Sequence, residues 1–309
     1  MSDLKLYRIA EDSATELPAS ASKLERDLQR VVEANMGAFF GVRLLASEYS
    51  TGPVHGGRMD SIGIDENGVP VIFEYKRSVS ESVINQGLFY LDWLLDHQGD
   101  FKVLVMEKLG AEASEAIDFS SPRLLCVAND FTRYDEHAIR QMGRSIELVR
   151  YQIFDEDLLA FELVASTATG TSAKGVAAPS PKKRGGKPGA KYATHDDDLA
   201  KLPGDLRALY DQLRLEIEAL GDDITIKPTK YYVAFRRLKN FASIEAYSQA
   251  RKLLVFVKVD PASITLEPGF SRDVTNIGHM GTGNLELTLR GPADLARALP
   301  FIQQSYEAN

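Results

Sequence analysis

Cysteine and histidine are scarce in this chain. Cys126 is the single cysteine among 309 residues, which excludes an intramolecular disulfide and a cluster of thiolate metal ligands. Because it lies inside the apolar run LLCVA, we expect it in the core. The five histidines are scattered without the spacing of a metal site. Candidate chemistry must therefore come from other side chains, chiefly carboxylates.

Long apolar runs are absent as well. No stretch approaches the roughly 20 residues that a helix needs to cross a bilayer. The first residues, MSDLKLYRIAEDSA, lack the basic and apolar regions of a signal peptide. With 44% hydrophobic and 26% charged residues, the composition is that of an ordinary soluble protein. We therefore expect a cytoplasmic protein without a membrane partner.

An excess of positive charge is also missing. The formal net charge is −8, so a nucleic acid would have to be held through local basic patches. Basic and aromatic residues interleave at 227–239, which predicts a surface where cations meet phosphates and rings stack on bases. A strand with an aromatic core face and a charged solvent face would show the same pattern. The cations assigned to this surface are Lys230, Arg236 and Arg237.

A change of composition divides the chain. Residues 166–195 are rich in Ser, Thr, Ala, Gly and Pro and almost free of large apolar side chains, so we expect a linker that does not pack. Its charged residues are all basic, and it is either a plain tether or a tether that also touches phosphates. The predicted organisation is a first domain at 1–165, this linker, and a second domain at 196–309.

The hydrophobic pattern predicts an α/β first domain, a mixed sheet flanked by helices. Its helices are expected at 21–35, 80–97 and 134–142. Its strands are expected at 42–50, 58–64, 69–75, 101–107, 123–128, 146–152 and 159–164. The second domain is of α+β type, with helices at 198–220 and 292–307 and strands at 224–227, 230–236, 240–245, 252–259, 263–266 and 284–289.

The segment from Asp60 to Lys76 carries the most chemistry. Asn67-Gly68 between two strand-like runs predicts a hairpin, and pairing centred near residue 67 places Asp60 opposite the vicinity of Glu74. Residues two apart on a strand share a face, so Glu74 and Lys76 point the same way. The two carboxylates, with the main-chain carbonyl of Tyr75, predict a Mg²⁺ site. Lys76 would orient water or stabilise the phosphate.

A surface hairpin with an ordinary cross-strand salt bridge is the alternative. Other features argue against it. Glu74 follows the apolar run VPVIF, which indicates a buried strand, and Gln86 and Tyr90 lie one turn apart on the next helix. Glu25, on the first helix, would add a further carboxylate, a role for which Glu33 competes.

Together these residues resemble the PD-(D/E)xK nuclease superfamily, within it the RecB-like and NucS-like branch. The resemblance covers about residues 20–165 and implies a restriction-endonuclease-like sheet. Its motifs here are Gly56-Gly57-Arg58-Met59-Asp60, Glu74-Tyr75-Lys76 and Gln86-Gly87-Leu88-Phe89-Tyr90. The resemblance implies catalytic roles for Asp60, Glu74, Lys76 and Glu25, and Mg²⁺ or Mn²⁺ held at Asp60, Glu74 and Tyr75. It also implies DNA contacts or bracing of the site by Arg58, Gln86 and Tyr90.

The second domain resembles a bacterial family of unknown function that recurs as a C-terminal appendage. We therefore expect a metal-dependent DNA endonuclease-like enzyme in repair or defence. The resemblance also implies a homodimer, because cutting both strands needs paired sites. Two alternatives stay open. The nuclease fold could be kept as a silent nucleic-acid-binding or protein-interaction module whose C-terminal domain carries the specific role, or the acidic surface could meet a basic partner.

Overall fold

The computed structural model describes residues 4–20, 25–77, 82–155, 157–167, 195–279 and 281–309. The chain divides into two compact units, Met1–Thr169 and Gly170–Asn309. The predicted basic linker falls almost entirely outside the described residues. Among the helices of the described ranges, none combines the length and the apolar sequence that a bilayer span requires.

The first unit is a mixed sheet with helices against both faces. Its strands are β1 (Leu6–Ala10), β2 (Ser13–Leu17), β3 (Ala19–Ser20), β4 (Val42–Ser50), β5 (Arg58–Asp65), β6 (Pro70–Lys76), β7 (Arg123–Ala128), β8 (Ser145–Phe154) and β9 (Leu158–Thr167). Its helices are α1 (Glu25–Phe40), α2 (Gly52–His55), α3 (Ser82–Asp96), α4 (Gln98–Leu109), α5 (Ala111–Glu115) and α6 (Arg133–Gln141).

The strand order explains how the site strands are held. Within the described residues β1 and β2 form a separate hairpin, and the main sheet runs β3-β8-β7-β6-β5-β4 with β9 beside β8. Strands β4, β5 and β6 are antiparallel neighbours, whereas β6, β7 and β8 are parallel. The carboxyl ends of β6 and β7 therefore lie at one edge of the sheet.

Side chains alternate between two cores. On β6, Ile72 belongs to the cluster that includes α3, while the Phe73 ring lies 5.4 Å from that of Phe40 on α1. Helix α3 crosses β7 at Gly87, where an added Cβ would stand 2.4 Å from Leu124 Cδ1. A larger residue there would require the Leu124 side chain or the helix to shift, so glycine suits this close crossing.

The second unit is an antiparallel sheet with helices packed on one face. Its helices are α7 (His195–Ala200), α8 (Gly204–Glu218) and α9 (Pro292–Glu307). Its strands are β10 (Thr225–Pro228), β11 (Val233–Arg236), β12 (Asn240–Tyr247), β13 (Lys252–Val257), β14 (Ser271–Asp273) and β15 (Leu285–Leu289), in the order β10-β11-β12-β13-β15-β14 within the described residues. Apolar side chains of α8 at helical spacing, such as Leu206, Leu209 and Leu213, enter its core.

The predicted fold class, a mixed α/β sheet flanked by helices with a second α+β unit, is confirmed. The predicted strand at 101–107 is wrong, because these residues lie in α4. Phe101 and Val105 are buried while Val103 and Met106 are about half exposed, so the burial follows the helical period. The strand at 263–266 is also wrong; a 3₁₀ turn ends at Ser263, and strand β14 follows later.

A buried ion cluster holds the end of the sheet that lies near the β5–β6 turn. The Arg123 guanidinium donates to both oxygens of Glu147 (2.8 and 2.9 Å) and to Asp65 Oδ2 (2.9 Å). Asp65 Oδ1 accepts the backbone N–H groups of Asn67 and Val69, which shapes the turn. All three charged side chains are buried, so one cation fixes the starts of β7 and β8 and the end of β5.

We expect Arg123→Met to destabilise the protein by about 3–5 kcal/mol, because two buried carboxylates lose their cation. Urea or thermal unfolding measures the loss. Arg8→Met is the matched control, since Arg8 and its partner Asp155 are largely exposed; it should cost less than about 1 kcal/mol. Equal losses for the two variants would show that the buried cluster does not hold the sheet.

Candidate active site

Strands β5 and β6 part at Asp60 and Glu74. The ladder runs from Ile64 opposite Pro70 to Ser61 opposite Phe73, the register predicted from the Asn67-Gly68 turn. One step further, side chains replace the backbone pairing. The Asp60 N–H donates to Glu74 Oε1 (3.3 Å), and the Tyr75 N–H donates to Asp60 Oδ2 (2.9 Å). Each carboxylate thus bonds the backbone of the opposite strand, which fixes the two acids side by side.

Glu74 has the more perturbed carboxyl of the two. Its side chain is 0% exposed, and burial together with the neighbouring charge of Asp60 raises its pKa to about 9. Burial also raises the pKa of Asp60, against the lowering effect of the Tyr75 N–H. Among the described residues, Glu74 Oε2 has no hydrogen-bond partner. A buried carboxylate oxygen in this condition is costly unless a cation or a donor reaches it.

Lys76 is held by Glu25 at the same edge. Its Nζ lies 3.2 Å from Glu25 Oε1, and Glu25 Oε2 accepts the Arg77 N–H at 3.2 Å. Burial lowers the pKa of Lys76, but the bond to Glu25 and the nearby carboxylates outweigh it and raise the pKa above its usual value. Lys76 is therefore a fixed ammonium, and Glu25 positions it rather than joining the carboxylate pair.

Helix α1 supports the site with a polar row, of which the sequence analysis named Glu25 and Glu33 but gave no role to Gln29. Gln29 Nε2 donates to the main-chain carbonyl of Asp60 (2.9 Å) and to Glu33 Oε1 (3.0 Å). Glu33 Oε1 also accepts the Ser61 hydroxyl at 2.7 Å, so this competitor of Glu25 braces β5 instead of facing Lys76. The spacing of four residues from Glu25 to Gln29 to Glu33 is the signal that marks this row.

Tyr75 turns its side chain away from the two carboxylates. Its ring is 0% exposed and stacks near Phe73, with centroids 6.3 Å apart. Its hydroxyl oxygen lies 3.2 Å from Ser61 Oγ, and burial raises the pKa of the phenol. Only the main chain of Tyr75 lies beside Asp60 and Glu74. Its main-chain carbonyl is the group for which a ligand role was predicted.

The predicted DNA-contacting residues of the first unit are brought together, with different exposures. The Tyr90 hydroxyl accepts the Arg58 N–H (3.1 Å) and the Gln86 amide (3.3 Å). A Cβ on Gly57 would stand 2.6 Å from the Tyr90 ring, so the motif needs glycine there. Tyr90 is buried and braces the start of β5. The Arg58 guanidinium is exposed and pairs with Glu48 at 2.6 Å.

The three candidates of the second unit do not share one exposed face. Lys230 is exposed and lies over the Tyr231 ring at 4.8 Å. Arg236 is buried, 4% exposed. Arg237 pairs with Asp223 at 2.6 Å. The interleaved basic and aromatic residues at 227–239 thus include the buried strand β11, and Arg237, directly after it, is in an ion pair.

The second unit and the whole chain each have a relative without an assigned function. A family profile described as a domain of unknown function (DUF5655) matches residues 195–309, in agreement with the expected resemblance of this unit. An uncharacterised protein of Haemophilus influenzae is 26% identical over 304 residues, which is 98% of this chain and 99% of that protein. The pairing of the two units therefore also occurs in that relative.

Solved structures similar to part of this chain include a repair endonuclease and EndoMS. A repair endonuclease from Pyrococcus abyssi is 20% identical at a TM-score of 0.28, covering 42% of this chain and 48% of that chain. A structure of an EndoMS–dsDNA complex is 16% identical at a TM-score of 0.29, covering 46% and 49%. This chain spans about half the length of these proteins. At such scores the likeness adds no weight to the site geometry.

We expect Glu74→Gln to flatten the pH dependence of stability in the metal-free protein. A carboxyl that titrates near 9 when folded but near 4.5 when unfolded gives the folded state an extra proton between these values. Its contribution to stability is fully present below the lower value and is lost as pH rises towards the upper one. The uncharged amide avoids this loss, so the variant should be more stable than the native protein near pH 9, by roughly 1–3 kcal/mol.

Thermal unfolding in EDTA from acid to alkaline pH measures this effect. Glu112→Gln serves as the control, because Glu112 is exposed on α5; its curve should run parallel to that of the native protein. A Glu74→Gln curve that also runs parallel would show that Glu74 ionises normally in the folded chain.

Proposed function

We propose that the first unit is a divalent-metal-dependent deoxyribonuclease that hydrolyses phosphodiester bonds at Asp60, Glu74 and Lys76. The observation that carries the proposal is the Glu74 carboxyl, which is buried beside Asp60 with Oε2 left without a partner among the described residues. A fixed ammonium follows two residues later on the same strand. Two acids and an amine at one sheet edge form a site suited to a phosphate ester.

The donor set fits Mg²⁺ or Mn²⁺. Within the described residues no group of three or more His, Cys, Asp or Glu side chains could form a metal cluster. Mg²⁺ is usually held by one or two carboxylates and completes its shell with water and substrate oxygens, so a pair of acids suffices. Asp60 and Glu74 would hold the ion, with the Tyr75 main chain beside them. A bound cation supplies electrophilic activation of the phosphate and of water.

Side chains of the protein would bind the cation, stabilise the phosphate and position the strand that carries Asp60. Glu74 would lose its proton if a cation were held beside it, because burial and then the charge of Asp60 raise its pKa and a cation favours the ionised carboxylate. Lys76, kept protonated by Glu25, can face the phosphate oxygens and stabilise the negative charge that develops on them. Gln29 holds the Asp60 carbonyl, and Tyr90 holds the Arg58 N–H, so the strand that carries Asp60 is fixed from both sides.

DNA is the proposed substrate because the motif residues resemble the PD-(D/E)xK nucleases, in which this set of groups cuts DNA. The EndoMS named above was solved with double-stranded DNA. The NucS-like branch and a role in repair or defence are part of the same proposal.

We expect the full chain to cut DNA in Mg²⁺ or Mn²⁺ and to be inactive in EDTA. Asp60→Asn, Glu74→Gln and Lys76→Met should each lower the rate by roughly 100-fold or more, because each removes charge that acts in the transition state. Gel assays on single-stranded, duplex and branched DNA measure the loss. Lys108→Met, an exposed lysine on α4, is the matched control and should cut normally.

Two results would overturn the proposal. One is the absence of cutting on every substrate in either metal. The other is cutting that survives Glu74→Gln or Lys76→Met, since a contaminating nuclease would then be responsible. Salt-sensitive binding without cutting, unaffected by Asp60→Asn, would identify a silent nucleic-acid-binding module instead.

A further inference from the structure

Helix α6 presents a basic exposed face. Arg133, His137 and Arg140 follow one another at spacings of four and three residues, and Arg144 comes three residues after the end of the helix. All four are exposed. Tyr134, next to the first of them, is 65% exposed. We call these five residues the α6 surface.

The arginines of the α6 surface are not neutralised by carboxylates. Within the described residues, Arg133, Arg140 and Arg144 make no ion pair, and the Arg133 guanidinium instead lies 5.1 Å from the centre of the Tyr134 ring. Several exposed arginines elsewhere are paired, as Arg58 is with Glu48 and Arg251 with Asp205. A row of unpaired cations on a chain of net charge −8 is a local patch suited to a polyanion.

The α6 surface begins beside the candidate active site. Strand β7 runs parallel to β6, with Cys126 opposite Glu74 and Ala128 opposite Lys76, and α6 starts five residues after Ala128. Ile139 packs in the same core cluster as Ile72 and Cys126, so α6 covers the sheet face on which Glu74 lies.

We propose that the α6 surface binds the nucleic-acid strand that enters the candidate active site. The arginines contact successive phosphates, and the Tyr134 ring stacks on an unpaired base. This inference rests on the proposed function and narrows its substrate, because a base must leave its partner to stack on Tyr134. The preferred substrate is then single-stranded DNA or DNA with a locally unpaired segment next to the cut.

The arginine–phosphate contacts and the stacking on Tyr134 have different measurable effects on DNA binding. Losing three arginine–phosphate contacts should reduce the slope of log affinity against log salt by about 2 for a single strand. Losing the ring should weaken single-strand binding by about 5-fold or more, since a stacked base is worth at least that much. Tyr134→Phe keeps the ring and should bind nearly as well as the native protein.

The experiment is fluorescence anisotropy of the full chain in EDTA, with a labelled single-stranded oligodeoxynucleotide and with its duplex. The variants are Arg133→Gln/Arg140→Gln/Arg144→Gln, Tyr134→Ala and Tyr134→Phe. The matched control, Arg207→Gln/Arg214→Gln/Arg251→Gln, removes the same charge from exposed arginines of the second unit that are paired with carboxylates. Thermal unfolding checks that each variant is folded.

We expect the first triple variant to lose affinity and salt dependence on both probes, and Tyr134→Ala to lose affinity mainly on the single strand. The control should bind as the native protein does. Lost binding in the α6 variants of a protein that never cuts DNA would support this inference and reject the hydrolase.

Three outcomes would overturn the inference. In the first, the α6 variants bind as tightly as the control, which leaves the proposed hydrolysis intact. In the second, the native protein binds neither probe, which removes the proposed function as well. In the third, polyglutamate competes as well as the oligonucleotide and Tyr134→Ala has no effect, which identifies an acidic protein as the partner.

Discussion

The parting of β5 from β6 at two carboxylates is the constraint on which the rest of the first unit depends. Past Ser61 the backbone ladder between the two strands is not continued. Instead each acid accepts a backbone N–H from the opposite strand. The arrangement works against stability, because Glu74 keeps its proton far above the pH at which an exposed glutamate ionises. Strongly perturbed groups of this kind cluster at functional sites.

The two ends of these strands differ in how their buried carboxylates are paired with cations. At the turn end, the buried carboxylates of Asp65 and Glu147 share the Arg123 guanidinium, and the charge is balanced within the protein. At the other end Glu74 is equally buried, yet the nearest cation, Lys76, is engaged by Glu25. The same fold can therefore supply a cation to a buried acid, but at Glu74 it does not. Under the proposed function, a cation from solution would supply the charge that the protein does not place there.

Much of the fold and the core of the site could be predicted from the sequence, because both depend on local patterns. The Asn67-Gly68 turn and the two-residue period of strands fix the register that brings Asp60 to Glu74. Helical spacing places Gln29 in line with Glu25, but its partner could not be predicted because it is a main-chain carbonyl of a distant strand. The prediction of a strand at 101–107 was wrong because valines favour strands in general, and a short apolar run with valines fits a helix as well as a strand.

The predicted basic surface at 227–239 shows a related limit of sequence patterns, since a sequence does not show which cations the fold buries or pairs with carboxylates. The interleaved run at 227–239 looks basic, but the fold buries Arg236 and pairs Arg237. The arginines of α6 lie among acidic neighbours in the sequence, but helical spacing collects them on one exposed face. Surface charges more than about 8–10 Å apart are largely screened at physiological salt. A strand of DNA at α6 would therefore respond to these cations rather than to the net charge of the chain.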